Sequence, residues 1–158
     1  MAFRGDYDCT MDDKGRVKMP TSLRKQFAAE EGNKFMIARG ILDCLVIYPM
    51  KTWEGMEATF QKLNPFNTNH QKFINAMTAG LTEVEMDSAD RFLISKTLVK
   101  FLGSEKERNI VLKGAQDRIQ IWEAKKYEQY TQGNISNIQG LADEAAAYLD
   151  TLNEEKGK

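Results

Sequence analysis

The chain opens with two stretches in which apolar and polar residues alternate. Tyr7, Cys9 and Met11 alternate with two aspartates and a threonine at 6, 8 and 10, and a period of two is typical of a half-buried strand. The range 16–19 alternates again, after a glycine-containing turn at residues 13–15. The pattern therefore predicts a strand, a tight turn and a second strand.

The next forty residues continue with three further kinds of pattern. A short helix is predicted to begin at Pro20, because apolar residues follow it at a spacing of four. Two short apolar runs, 35–38 and 44–48, predict strands, and the range 50–60 has the three-to-four spacing of a helix with one apolar face. The predicted order is strand, turn, strand, short helix, strand, strand, helix.

This order occurs twice, because the sequence contains an internal repeat. The pattern D-x-x-x-R is found at Asp12 with Arg16 and at Asp87 with Arg91, an offset of 75 residues. Residues of the same chemical type also recur at an offset of 75 residues: Gly5 with Gly80, Leu23 with Leu98 and Phe27 with Leu102. After a one-residue slip the offset is 74 residues: Asp43 with Asp117, Ile47 with Ile121 and Tyr48 with Trp122. A unit of about 50 residues buries little core alone, so the two copies are expected to complete each other.

The repeat divides the chain into four segments. We predict a first repeat over 3–63, a linker and connecting helix over 64–79, a second repeat over 80–130 and an acidic helical tail over 131–158. The polar stretch at 131–134 is expected to break the structure before the tail, in which apolar residues then recur at helical spacing.

Charge is distributed unevenly between the repeats, although the chain has a net charge of only −1. The range from Asp12 to Lys25 holds five basic and two acidic residues. The equivalent range from Asp87 to Lys100 holds three basic and two acidic residues. Arg4 corresponds to the uncharged Ala79. Since neutralised phosphates supply much of the affinity for DNA, the first repeat is the better candidate for a DNA-binding surface.

Other classes of function find little support. The single histidine, His70, and the two distant cysteines, Cys9 and Cys44, give no metal cluster and no catalytic triad, and no phosphate-binding glycine loop is present. No apolar run approaches the ~20 residues of a membrane span. We therefore expect no enzyme activity, no cofactor, no metal and no membrane partner.

The repeated motifs resemble those of the MraZ family of bacterial transcription regulators. In the first repeat these motifs are Phe3-Arg4-Gly5, the turn from Asp12 to Arg16 with Pro20 after it, and Arg39-Gly40 followed by the run from Cys44 to Pro49. In the second repeat they are Gly80, Thr82-Glu83, the range from Asp87 to Arg91 and the range from Arg118 to Trp122. The resemblance implies an α+β fold: two tandem AbrB-like swapped-hairpin, β-barrel-type repeats with short helices, here followed by a C-terminal helical tail.

The resemblance also implies a function. Such proteins are sequence-specific DNA-binding transcriptional regulators that act on direct repeats upstream of the division and cell-wall gene cluster. They are cytoplasmic and nucleoid-associated, and they assemble into homo-oligomeric rings. The alternative that the residues leave open is an oligomeric assembly or interaction protein that does not bind DNA, with the basic loop as a solvated turn.

Candidate site residues follow from the basic turn and its copy. The predicted contacts to double-stranded DNA are Arg4, Lys14, Arg16, Lys18 and Arg24, and the residues predicted to form the two loops are Asp12, Gly15, Asp87 and Arg91. An arginine suits this role because its planar fork can contact phosphate or guanine through two hydrogen bonds. The second loop has Ala89-Asp90 where a glycine is expected, which makes it the more structural of the two copies.

Overall fold

The structure, a computed structural model, describes residues 2–157. The first repeat contains β1 (Asp6–Thr10), β2 (Arg16–Lys18), α1 (Thr21–Arg24), β3 (Lys34–Arg39), β4 (Leu45–Pro49) and α2 (Met50–Gln61). The helix α3 (Thr68–Met77) connects it to β5 (Thr82–Glu85), β6 (Arg91–Leu93), α4 (Lys96–Leu102), β7 (Asn109–Ala115) and β8 (Arg118–Glu123), and α5 (Ala124–Ser136) and α6 (Ile138–Lys156) follow. The predicted α+β class and the repeated order of elements are confirmed.

The two repeats exchange strands. A six-stranded antiparallel sheet has the order β1-β7-β8-β4-β3-β5, so that β1 of the first repeat pairs with β7 of the second, and β5 of the second pairs with β3 of the first. The remaining strands, β2 and β6, pair with each other in a separate two-stranded sheet. The equivalent strands of the two repeats are β1 and β5, β2 and β6, β3 and β7, and β4 and β8. Exchanging each strand for its equivalent gives the same order of strands in the sheet. The repeats are therefore related by an internal pseudo-two-fold axis, as a swapped-hairpin fold requires.

One hydrophobic core is shared by both repeats. Strand β4 lies in the middle of the six-stranded sheet and all five of its residues are buried, which accounts for its continuous apolar run. Large buried side chains of this core come from both halves of the chain: Phe3, Phe35, Leu45 and Ile47 from the first, and Phe92, Ile94 and Ile121 from the second.

Residues 3–5, which we call the N-terminal arm, are held against β7 by a close approach of the two backbones. The N–H of Phe3 donates to the carbonyl of Gln116 at 2.6 Å, and the N–H of Gly114 donates to the carbonyl of Gly5 at 2.8 Å. A side chain at Gly114 would collide with the backbone of Phe3 and Arg4. The glycine thus lets Phe3 enter the core, where its ring meets that of Phe27 edge to face at 4.9 Å.

The predicted break at 131–134 is wrong. Helix α5 continues through Gly133 to Ser136, and the helices are separated at Asn137 instead. A single glycine in an exposed helix costs only about 1 kcal/mol, which the good helix formers in the first turns of α5, such as Ala124, Lys125 and Lys126, offset.

The chain forms two compact units that divide between Ala124 and Lys125. In the second unit, α6 exposes Ile138, Leu141 and Tyr148, which belong to the predicted apolar stripe of the tail. No helix within residues 2–157 combines the length and the apolar character needed to cross a bilayer.

Candidate nucleic-acid interface

The first basic loop is ordered by the carboxylate of Asp12. Its Oδ1 accepts from the N–H of Lys14 at 3.0 Å and of Arg16 at 2.8 Å, and its Oδ2 accepts from Nε of Arg16 at 2.7 Å. Gly15 has a φ of +88°, and a Cβ there would lie 2.6 Å from the carbonyl oxygen of Ile94. The left-handed backbone favours glycine here, and the close contact with the second repeat leaves no room for a Cβ.

These hydrogen bonds keep the loop charged. The backbone N–H of Arg16, followed by its guanidinium, lowers the pKa of Asp12 from 3.8 to about 2. In return the Asp12 carboxylate raises the pKa of Arg16. The bond uses Nε, and 44% of the Arg16 side chain is exposed, so the end of the guanidinium is accessible to a ligand.

The second loop has the same geometry. Oδ1 of Asp87 accepts from the N–H of Ala89 at 2.8 Å and of Arg91 at 2.9 Å, and Oδ2 accepts from Nε of Arg91 at 2.9 Å. The backbone N–H of Arg91 is the main cause of a lowered pKa at Asp87. The position equivalent to Gly15 is Asp90, which takes a φ of +59° and so reproduces the left-handed turn without a glycine.

The two loops lead into a basic β-ribbon. In the antiparallel pairing of β2 with β6, Arg16 lies opposite Leu93, and Lys18 lies opposite Arg91. The central pair, Val17 and Phe92, is buried. Because side chains alternate across a strand, one exposed face carries the other four residues. We call this the ribbon face: Arg16, Lys18, Arg91 and Leu93.

The ribbon face includes a cation that sequence reasoning assigned only to loop structure. Arg91 lies directly opposite Lys18, so the arginine of the second loop joins the lysine of the first repeat on one surface. The D-x-x-x-R repeat was a signal of this symmetry, but it did not reveal that the strands following the two loops pair with each other. Like charges opposite each other are unfavourable in a free sheet, and a bound polyanion would relieve the repulsion.

The remaining predicted contact residues lie in three different environments. Lys14 is exposed in the first loop, beside the ribbon face. Arg4 is exposed on the N-terminal arm, where its backbone N–H donates to Oε1 of Gln26 at 2.8 Å. Arg24 is turned to the second loop: its Nε lies 3.3 Å from Oδ1 of Asp90, and its guanidinium lies 5.9 Å from the centre of the Phe27 ring. The structure thus groups Lys14, Arg16 and Lys18 and holds Arg24 in an ion pair.

The fold and this surface define a class of protein: a pair of swapped-hairpin repeats that present a short basic β-ribbon between two aspartate-ordered loops. Comparison with known proteins gives the family. The profile described as "MraZ protein, putative antitoxin-like" matches residues 2–75 and again 77–150.

Individual relatives agree over nearly the whole chain. The chain is 40% identical over 141 residues to a protein of Christiangramia forsetii, covering 89% of this chain and 90% of the relative. It is 37% identical to a protein of Flavobacterium psychrophilum, covering 89% of this chain and 88% of the relative. It is 31% identical to a protein of Halothermothrix orenii, covering 95% of this chain and 98% of the relative. All three are named transcriptional regulator MraZ. The chain belongs to the MraZ family, which confirms the resemblance and the expectation that it is not an enzyme.

The two thiols agree with a non-catalytic role. Burial raises the pKa of Cys44 to about 12 and that of Cys9 to about 11. Since the thiolate is the reactive form, neither side chain is activated as a nucleophile at neutral pH.

Proposed function

We propose that this protein is a sequence-specific transcriptional regulator that binds double-stranded DNA with the ribbon face and the first loop. Its targets are direct repeats upstream of the division and cell-wall gene cluster, and it acts in the cytoplasm in association with the nucleoid. The names of its relatives support the regulatory role.

The observation that carries this proposal is the clustering of three exposed cations on the ribbon face, with Lys14 beside them. A two-stranded β-ribbon fits the major groove of B-DNA, which is about 12 Å wide. The net charge of the whole chain is only −1, so attraction for phosphate depends on local clusters of cations such as this one.

The geometry suggests a role in the DNA-binding surface for every predicted residue except Arg24, which is paired with Asp90. Arg16 is held by Asp12 and is best placed to read a base edge, for which an arginine fork pairs with guanine. Lys14 and Lys18 contact phosphates as point charges, and Arg4 contacts a phosphate with its planar guanidinium. Asp12, Gly15 and Asp87 order the loops, and Arg91 both orders its loop and adds a cation to the ribbon face.

A salt series of DNA-binding measurements tests the proposal. We expect the full chain to bind a duplex that carries the repeats upstream of its own gene, with log affinity falling linearly in log salt and a slope of roughly −4 per protomer, since each neutralised phosphate contributes about −0.9. A scrambled duplex of equal length should bind more weakly and with a similar slope. Absence of binding to both duplexes at low salt would favour the alternative, an assembly protein that does not bind DNA.

The proposal includes assembly into a ring. One protomer offers a ribbon of only three residues per strand, so a single contact is small. Several ribbons on one particle would gain about 10²–10⁴ in avidity if the spacing of the DNA repeats matches them.

Light scattering at micromolar concentration measures this assembly directly. We expect a mass several times the 18.0 kDa of the chain, because exposed apolar side chains such as Ile41 and Phe66 are suited to burial between protomers. A mass of 18.0 kDa over the whole concentration range would contradict it.

A further inference from the structure

The internal pseudo-two-fold symmetry is broken by one ion pair. At the second loop, the carboxylate of Asp90 lies 3.3 Å from Nε of Arg24, which belongs to α1 of the first repeat. At the symmetry-equivalent place, the first loop has Gly15 and the adjoining helix α4 has Val99. Two charges at one site thus replace two uncharged residues at the other.

The backbone around the two sites is the same. The N–H of Met19 donates to the carbonyl of Asp90 at 2.8 Å, and the N–H of Ile94 donates to the carbonyl of Gly15 at 2.9 Å. The first loop therefore reaches this arrangement with neither charge. The pair between Asp90 and Arg24 is not a requirement of the fold.

Asp90 is also a strained choice for this position. Its φ of +59° lies in the left-handed region, which glycine adopts without penalty and aspartate adopts at some cost. A residue kept in such a conformation, when glycine serves at the equivalent loop, points to a role for its side chain.

We infer that Asp90 is a positioning residue that keeps Arg24 out of the DNA interface and weakens the contact of the second loop with DNA, so that the first loop dominates binding. The inference rests on the proposed function. Two electrostatic effects carry it. The carboxylate holds a cation that would otherwise be free to reach phosphate, and it adds a negative charge next to Arg91, which repels the DNA backbone. Both partners are partly exposed, with 29% of the Arg24 and 43% of the Asp90 side chain accessible, so the pair can rearrange when either residue is changed.

The variant Asp90→Gly tests this, because it removes the charge and also relieves the backbone strain, so the protein is expected to fold. The duplex that carries the repeats upstream of the gene is called the operator duplex below. We expect Asp90→Gly to bind it about threefold to tenfold more tightly than the wild type at moderate salt. The slope of log affinity against log salt should be steeper by about one phosphate contact. Glu54→Gln is the matched control: it makes the same change in net charge on α2, a helix that packs mainly on β3 and β4. Glu54→Gln should leave both the affinity for the duplex and the slope of the salt dependence unchanged.

A double-mutant cycle with Arg24→Gln separates this role from a purely structural one. In the wild type, Arg24→Gln should change affinity by less than about twofold, because the ion pair already occupies Arg24. In the Asp90→Gly background the same substitution should cancel the part of the gain that the released Arg24 supplies. The inference is overturned if Asp90→Gly, shown to be folded by circular dichroism, binds no more tightly than the wild type. An equal cost of Arg24→Gln in both backgrounds would overturn it as well. A wild type that binds neither duplex would instead overturn the proposed function.

Discussion

Replacing Arg16 with alanine is expected to reduce affinity for the operator duplex by at least about 100-fold, while the assembled mass stays the same. The substitution removes the arginine that Asp12 holds at the start of the ribbon face. It also leaves the Asp12 carboxylate without its guanidinium partner, which adds a repulsive charge beside the DNA backbone. Fluorescence anisotropy on labelled duplex, together with light scattering on the same samples, measures both quantities.

Two variants serve as controls for this result. Arg16→Lys keeps the charge but not the planar fork, so it should retain nonspecific binding and lose most of the preference for operator over scrambled DNA. Arg91→Ala should cost about threefold to tenfold, since the second loop has Ala89 and Leu93 where the first has Lys14 and Lys18. Equal losses for Arg16→Ala and Arg91→Ala in assembled protein would contradict the dominance of the first loop.

Gly114→Ala is expected to destabilise the protein by about 2–4 kcal/mol, although it adds only one methyl group. The added Cβ would collide with the backbone of Phe3 and Arg4, and backbone atoms cannot move aside as a flexible side chain can. Relief of the clash would lift the N-terminal arm away from β7 and withdraw the Phe3 ring from the core. Urea denaturation followed by tryptophan fluorescence measures the free energy of unfolding.

Gly55→Ala provides the matched comparison. Gly55 lies inside α2, and a Cβ there meets no atom within 4 Å. Alanine favours the helix over glycine by about 0.5–1 kcal/mol, so this variant should be slightly more stable than the wild type. If Gly114→Ala were as stable as Gly55→Ala, the close approach of the arm to β7 would not be a determinant of stability.

Local patterns predicted most of the elements, because strands and helices have different periods. The apolar run at 44–48 became β4, and the three-to-four spacing from residue 50 became α2. The helix break was misplaced at 131–134 because composition overstates the cost of one glycine, and the true separation at Asn137 has no strong local signal.

The pairing of strands could not be obtained in this way. Periodicity assigns a face to each residue but says nothing of which strand lies beside it, so the opposition of Lys18 and Arg91 emerged only from the structure. For the same reason the ion pair of Arg24 with Asp90 was missed, since its partners are 66 residues apart in the chain and lie in different repeats. The loops themselves were predictable, because the hydrogen bonds that the aspartate of each loop accepts come from within five residues.

The exchange of strands has a consequence for how the protein is made. Cys9 in β1 pairs with Ile110 in β7, so about a hundred residues must leave the ribosome before the first strand finds its neighbour. The N-terminal half therefore cannot complete its folding until β7 is available, and its unpaired strand edges stay open until the second repeat has emerged from the ribosome. Closing so long a loop also slows the final step relative to a fold built from local hairpins. A ribosome stalled after α3 should hold a nascent chain that proteases cut readily, whereas one stalled within α6 should hold a chain whose first strand is already protected.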